Sequence, residues 1–244
     1  MFDRAIGLAR SLAIYHALPG RQRRMRRLYA DFLRSGDLVF DIGAHVGNHV
    51  RAFAALGCRV VAVEPQPEFS RLLRVAFARF AGVKVIEAAV SDTSGSSALA
   101  ISDRTPTVAT LDSEWREART AEPEFAGVRW NRQVAVRTTT LDELIDLFGD
   151  PAFIKIDVEG SEPAVLAGLN RPVRGLSFEY LPRALGLVET SLGRLRELGH
   201  YQFNWSAGES FRFASSTWMN ERQLIASLKS AAAQGRSGDV YARL

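Results

Sequence analysis

Apolar residues recur along this chain in two alternating rhythms. Short apolar runs, the mark of strands buried on both faces, fall at 38–40 and 59–63, and further strands are predicted at 83–87, 152–156, 175–179, 200–205 and 240–243. Between them lie stretches with helical spacing, at 47–56, 68–80, 141–148, 161–169, 187–198 and 221–228. Two more helices are predicted before the first strand. Phe2, Ile6, Leu8, Leu12, Ile14 and Tyr15 recur through 2–16, Pro19-Gly20 breaks the pattern, and Met25, Leu28, Tyr29, Phe32 and Leu33 share one face of 21–34. Strand and helix in alternation predict an α/β fold with a mostly parallel, seven-stranded, doubly wound sheet. The late strands are expected to supply a reversed edge strand. Residues 1–36 read as an N-terminal helical cap and 37–244 as the α/β domain, one globular unit overall.

The stretch 37–66 organises the rest. Asp41 closes the first apolar run, Gly43 and Gly47 follow, a helix runs to about 56, and the second strand ends in Glu64-Pro65-Gln66. Glycine lets the backbone turn sharply and approach a ligand closely. The unit is strand, turn, helix, strand, and ligands of open α/β sheets bind at the carboxyl ends of the strands. Glu64 stands about twenty residues after the turn, where an acid holds a ribose hydroxyl pair. A dinucleotide would want Gly-x-Gly-x-x-Gly with its pyrophosphate on the helix start. Here the spacing is Asp-x-Gly-x-x-x-Gly, and the carboxylate would face the diphosphate. S-adenosylmethionine fits better: it has a ribose, a cationic sulfonium, an ammonium group and no phosphate. Asp41 would attract its cationic end and the turn amides would meet its carboxylate.

Composition narrows the classes. A chain of 244 residues with 47% hydrophobic content has ample material for a core. Its one cysteine, Cys58, allows no internal disulfide and no cysteine zinc site, which permits a reducing, cytoplasmic setting. No run is long and clean enough to span a bilayer, and the N-terminus does not read as a signal peptide. The formal charge is +4, partly concentrated in Arg21, Arg23, Arg24, Arg26 and Arg27. That run reads first as a solvated helix face and second as a patch for nucleic acid or an acidic lipid surface. It lacks the interleaved aromatics that single-strand binding wants.

Asp41, Glu64, Asp92, Asp157, Glu159 and Glu179 all fall at or near strand ends, so they share one edge of the sheet. Asp157 and Glu159 flank a turn before Gly160. They would serve as a general base, orient an acceptor hydroxyl or hold a divalent ion; alternatively Asp157 touches only the cofactor and Glu159 caps the next helix. His45, in the glycine turn, is the rival base. Ser91 and Asp92 could reach an adenine amino group or form a turn. No metal site is assigned, since His45 and His49 are the one histidine pair at ligand spacing. The irregular stretch 93–136, with short β segments at 97–102 and 133–138, is expected to form part of the acceptor site.

These motifs resemble the FkbM family of S-adenosylmethionine-dependent methyltransferases. The resemblance rests on Val39-Phe40-Asp41-Ile42-Gly43-Ala44-His45-Val46-Gly47-Asn48, Val63-Glu64-Pro65, Ala89-Val90-Ser91-Asp92, Thr140-Leu141-Asp142-Glu143-Leu144 and Ile154-Lys155-Ile156-Asp157-Val158-Glu159-Gly160-Ser161-Glu162, in the family's order. His45 replaces the family's usual Asn. The resemblance implies a Rossmann-like class I methyltransferase fold and methyl transfer to an oxygen of a saccharide or other small molecule. It implies cofactor contacts from Asp41, Gly43, Ala44, Gly47, Asn48, Glu64, Pro65, Gln66, Ser91, Asp92 and Asp157, with Asp157, Glu159 or His45 catalytic. The rival readings are an RNA methyltransferase and a non-catalytic protein of the same fold docking through the arginine helix. An NAD-dependent oxidoreductase is the weakest.

Overall fold

The computed structural model describes residues 6–7 and 20–244, and its elements alternate as the apolar rhythm requires. In chain order they are α1 (Arg21–Tyr29), β1 (Leu38–Ile42), α2 (Asn48–Ala55), β2 (Arg59–Val63), α3 (Pro67–Ala76), β3 (Val83–Ile86), β4 (Ala89–Val90), β5 (Gly95–Ile101), α4 (Ser113–Thr120), β6 (Arg132–Thr139), α5 (Leu141–Phe148), β7 (Phe153–Ile156), α6 (Glu162–Ala167), β8 (Gly175–Tyr180), α7 (Leu185–Leu198), β9 (Gln202–Ala207), α8 (Glu221–Ala232) and β10 (Gly238–Arg243). The helix expected over 2–16 lies outside the described residues apart from residues 6 and 7.

The sheet has seven strands in the order β3-β2-β1-β7-β8-β10-β9. Successive side chains of a strand point to opposite faces, and both faces are covered. Leu38, Phe40 and Ile42 of β1 join one core with residues of α5, α6, α7 and α8. Val39 joins the other, with Met25, Leu28, Tyr29, Val50, Phe53 and Leu73 from α1, α2 and α3. This double covering is why the central strands read as unbroken apolar runs rather than alternating ones.

Two details depart from the sequence reading. The reversed strand is β10, and it lies one place in from the edge, antiparallel to β8 and to β9. The α7 crossover carries β9 past one strand position, and β10 returns from α8 into that gap. The apolar stripe assigned to 68–80 ends its helix at Ala76, because Phe77 turns under the β1–α2 loop. A Cβ on Gly47 would lie 2.6 Å from the Phe77 ring.

A separate three-stranded sheet, β4-β6-β5, grows from the long insert. β5 and β6 pair antiparallel, and residues 102–131 between them form a flap over the carboxyl edge of the main sheet. The flap is tied down by the Gln66 side-chain amide, which donates to the Pro106 carbonyl at 3.0 Å.

Candidate active site

The turn after β1 is fixed by close approach. Gly43 has φ 80°, and a Cβ there would lie 1.8 Å from the Asp157 carbonyl oxygen. Only glycine lets the ends of β1 and β7 meet at that spacing. The Gly43 and Ala44 amides donate to the Val63 carbonyl at 2.9 and 3.0 Å. His45 follows in the left-handed region, φ 46°, which is uncommon for a non-glycine residue. Its amide donates to one oxygen of Glu64 at 2.9 Å, and the Gln66 amide donates to the other at 2.8 Å. Glu64, 2% exposed, is therefore held rigidly at the end of β2. Burial pushes its carboxyl up to about 7 despite those two amides. The His45 ring lies 4.2 Å from that of Phe69, and burial lowers its pKa to about 4 against the pull of Asp157. At neutral pH it is an uncharged ring and a weak base.

The second half of the site is acidic. Asp157 follows β7 and accepts from the Lys155 ammonium at 2.5 Å. Burial alone would discharge Lys155, but Asp157, Asp239 and Asp41 outweigh it and hold the ammonium charged. Glu159 sits in the left-handed region, φ 54°. Its carbonyl accepts from the Thr110 hydroxyl at 2.7 Å, and a Cβ on Gly160 beside it would lie 2.2 Å from the Trp115 indole of α4. The Glu162 carboxylate closes the turn from below, accepting from the Val158 and Gly160 amides at 3.2 and 3.1 Å. Glu179, on β8, stands opposite Asp239 of β10. Burial raises the carboxyls of Glu159 and Glu179 well above the usual range; Asp157 and Glu162 push both further, and Glu159 adds to Glu179.

These groups share one cavity of about 230 Å³ at the carboxyl edge of the sheet. Of the residues picked from sequence, Gly43, His45, Asn48, Glu64, Pro65, Gln66, Asp157 and Glu159 line it. Asp41, Ala44, Gly47, Ser91 and Asp92 do not. Asp41 is 1% exposed inside β1, beside Lys155 in register, and burial pushes its carboxyl up to about 7 against the lysine's pull. Ala44 faces the core and Gly47 precedes α2. Asp92 is exposed and accepts from the Ser91 hydroxyl at 3.1 Å, which is turn chemistry, while Val90 lines the cavity instead.

Several lining residues carry little or no signal in the sequence. Arg21, 2% exposed, leaves the arginine run, enters the cavity and pairs with Glu209 of the loop after β9. Nothing in the run Arg21 to Arg27 marks it out. Lys155 did carry a signal, as one cation in an otherwise apolar strand. Phe211 and Thr110 come from loops, where no periodicity reports on direction. No helix among the described residues is long and apolar enough to cross a membrane.

Residues 41–203 match the model of the methyltransferase FkbM domain. No curated protein matches the chain in sequence. Among solved structures it is similar to the precorrin-6y C5,15-methyltransferase of Geobacter metallireducens, with 14% identity, 91% of this chain and 86% of that one covered, and a TM-score of 0.44. It is also similar to a TehB-like S-adenosylmethionine-dependent methyltransferase of Corynebacterium glutamicum, with 11% identity, coverage of 96% and 94%, and a TM-score of 0.45. A third is the fibrillarin of Aeropyrum pernix with natively bound S-adenosyl-L-methionine, with 10% identity, coverage of 86% and 67%, and a TM-score of 0.44.

Proposed function

Because the chain belongs to the FkbM methyltransferase family, whose members use S-adenosylmethionine, we propose that its cavity is the methyl-transfer site and that the acceptor is a hydroxyl of a saccharide or glycosylated small molecule. The observation that carries the cofactor half is Glu64, a buried carboxylate at the end of β2, oriented by two backbone amides with lone pairs left for a ribose. Gln66, Pro65, Val90 and Pro106 line the adjoining wall and suit an adenosine. Gly43 and Asn48 lie toward the methionine end. Asp41 acts from behind, through the charge on Lys155. The bound cofactor supplies a sulfonium methyl, an electrophile whose displacement leaves a neutral thioether.

The acidic half suits a hydroxyl acceptor. An alcohol oxygen attacks well only as its proton leaves, and the Asp157–Glu159 turn brings two carboxylates to the cavity for that proton. The turn is held by Thr110, Trp115 and Glu162, so the carboxylates meet the acceptor without reorganising. As the new C–O bond forms, the C–S bond breaks with its electron pair on sulfur, and the hydroxyl proton passes to a carboxylate and then to water. His45 is the poorer base because it stays neutral with a pKa near 4. Six carboxylates line the cavity (Glu64, Asp157, Glu159, Glu179, Glu209 and Asp239) against the two cations Arg21 and Lys155. Both of those cations are already paired with carboxylates, which disfavours a phosphate-bearing acceptor such as RNA. The test is methyl transfer from labelled S-adenosylmethionine to a panel of neutral glycosides, amines and RNA, with the product bond assigned by NMR. An O-methyl glycoside is expected. Label appearing only on nitrogen, carbon or RNA would overturn the acceptor assignment.

A further inference from the structure

The cavity holds more carboxyl groups than the methyl-transfer reading uses. One carboxylate oxygen each from Asp157, Glu159 and Glu179 lie within 4.8 Å of one another. Asp239 stands opposite Glu179 across the β8–β10 pair. Like charges in that position are unfavourable. Among the described residues lining the cavity, the cations are Arg21, engaged with Glu209, and Lys155, engaged with Asp157. Four clustered carboxylates thus share one ammonium. A second, independent feature lies two residues beyond Glu159. Ser161 lines the same cavity, is 6% exposed, and its buried hydroxyl has no hydrogen-bond partner. A buried polar group without a partner calls for an unseen one.

We propose that Asp157, Glu159 and Glu179 hold a divalent cation, with Ser161 meeting a water of its shell. The donor set is all oxygen and mostly anionic, which selects hard ions such as Mg²⁺, Mn²⁺ or Ca²⁺ over zinc or copper. Oxygens bound at about 2.3–2.6 Å to one calcium ion lie at most about 5 Å apart, so three oxygens within 4.8 Å of one another can share one such cation. The ligands are well placed for this. Asp157 and Glu179 extend from neighbouring strands, and the Glu159 turn is fastened by Thr110 and Glu162. The site goes beyond the proposed function and does not depend on it. Within that function it would take an acceptor oxygen as a ligand and turn Asp157 and Glu159 from proton acceptors into cation ligands.

The experiment is titration of the full chain with MnCl₂, without cofactor or acceptor, following loss of the free-ion signal by electron paramagnetic resonance. One Mn²⁺ per chain is expected, with Kd below about 1 mM and displacement by Mg²⁺ or Ca²⁺. Glu179→Gln should weaken it by at least about tenfold, and exposed Asp92→Asn should leave it unchanged. Circular dichroism checks that Glu179→Gln folds; removing one member of a like-charge pair favours that. No bound Mn²⁺ at 1 mM and above, or binding indifferent to Glu179→Gln, would overturn the site. S-adenosylhomocysteine titrated into the same sample separates the two ideas. If it binds and Mn²⁺ does not, the cation site falls and the methyltransferase reading stands.

Discussion

Replacing Glu64 by Gln should move stability and cofactor affinity in opposite directions as pH rises. The Glu64 carboxyl is raised from 4.5 to about 7, chiefly by burial. At about 1.36 kcal/mol per unit that is about 3 kcal/mol, and no screening discount applies to a group so fully buried. The sign follows from linkage. A raised acid contributes its stability below pH 4.5 and loses it as pH climbs through 7. Glutamine does not titrate, so Glu64→Gln escapes that loss. It also turns one oxygen into a donor facing the amide of His45 or Gln66, a pH-independent cost of about 1–3 kcal/mol. The variant should therefore be less stable than the parent at pH 5 and close to it at pH 8. Thermal unfolding followed by circular dichroism reads this directly. For a chain of this size about 3 kcal/mol corresponds to about 6–12 °C, so the melting difference should close by that amount between pH 5 and 8. Asp41, Glu162 and Asp239 are raised in the same direction, but they are common to both proteins and cancel in the difference. Over the same range S-adenosylhomocysteine should bind the variant about 10–100-fold more weakly at pH 8, because hydrogen bonds to an ionised carboxylate contribute about 1.5–3 kcal/mol. A melting difference that stays flat with pH, together with unchanged affinity, would refute this reading of Glu64.

Gly43→Ala places a Cβ against the Asp157 carbonyl at a φ of 80°, and it should cost at least about 2 kcal/mol in urea unfolding. Thr110→Val removes the hydroxyl that holds the Glu159 carbonyl. It should speed amide exchange at Val158 and Gly160 about fivefold, the equivalent of about 1 kcal/mol, with little change in global stability. The His45 ring should show no titration by NMR between pH 5 and 8, since its pKa lies near 4. A midpoint near 6.5 would return His45 to the list of bases.

Most of the scaffold was legible because strands covered on both faces leave unbroken apolar runs. Val39, Phe40 and Val60 to Val63 declare β1 and β2 with no ambiguity of period. Gly43 was legible for a related reason: a glycine between a strand and a helix marks a turn that no side chain fits. Of the six acids at or near strand ends, Glu64, Asp157, Glu159 and Glu179 line the cavity, and Asp41 and Asp92 do not. What could not be read is direction. Asp41 and Glu64 both end apolar runs, yet Asp41 is turned under α2 while Glu64 reaches the cavity. The difference is two residues of strand register: Asp41 pairs with Ala62 and Lys155 inside the sheet, while Glu64 lies one residue beyond the last β2 pair. The position of the reversed strand depends on the α7 crossover, and a crossover's span is not written in local pattern. Arg21 looked like its neighbours because its inward turn is fixed by Glu209, some 188 residues away.

The most direct test of the Glu64 cofactor site is a crystal structure of the protein with S-adenosylhomocysteine. The ribose hydroxyls are expected on the Glu64 carboxylate, the adenine along Gln66 and Val90, and the homocysteine running past Gly43 toward Asp157. A ligand bound with its ribose away from Glu64, or outside this cavity, would contradict it.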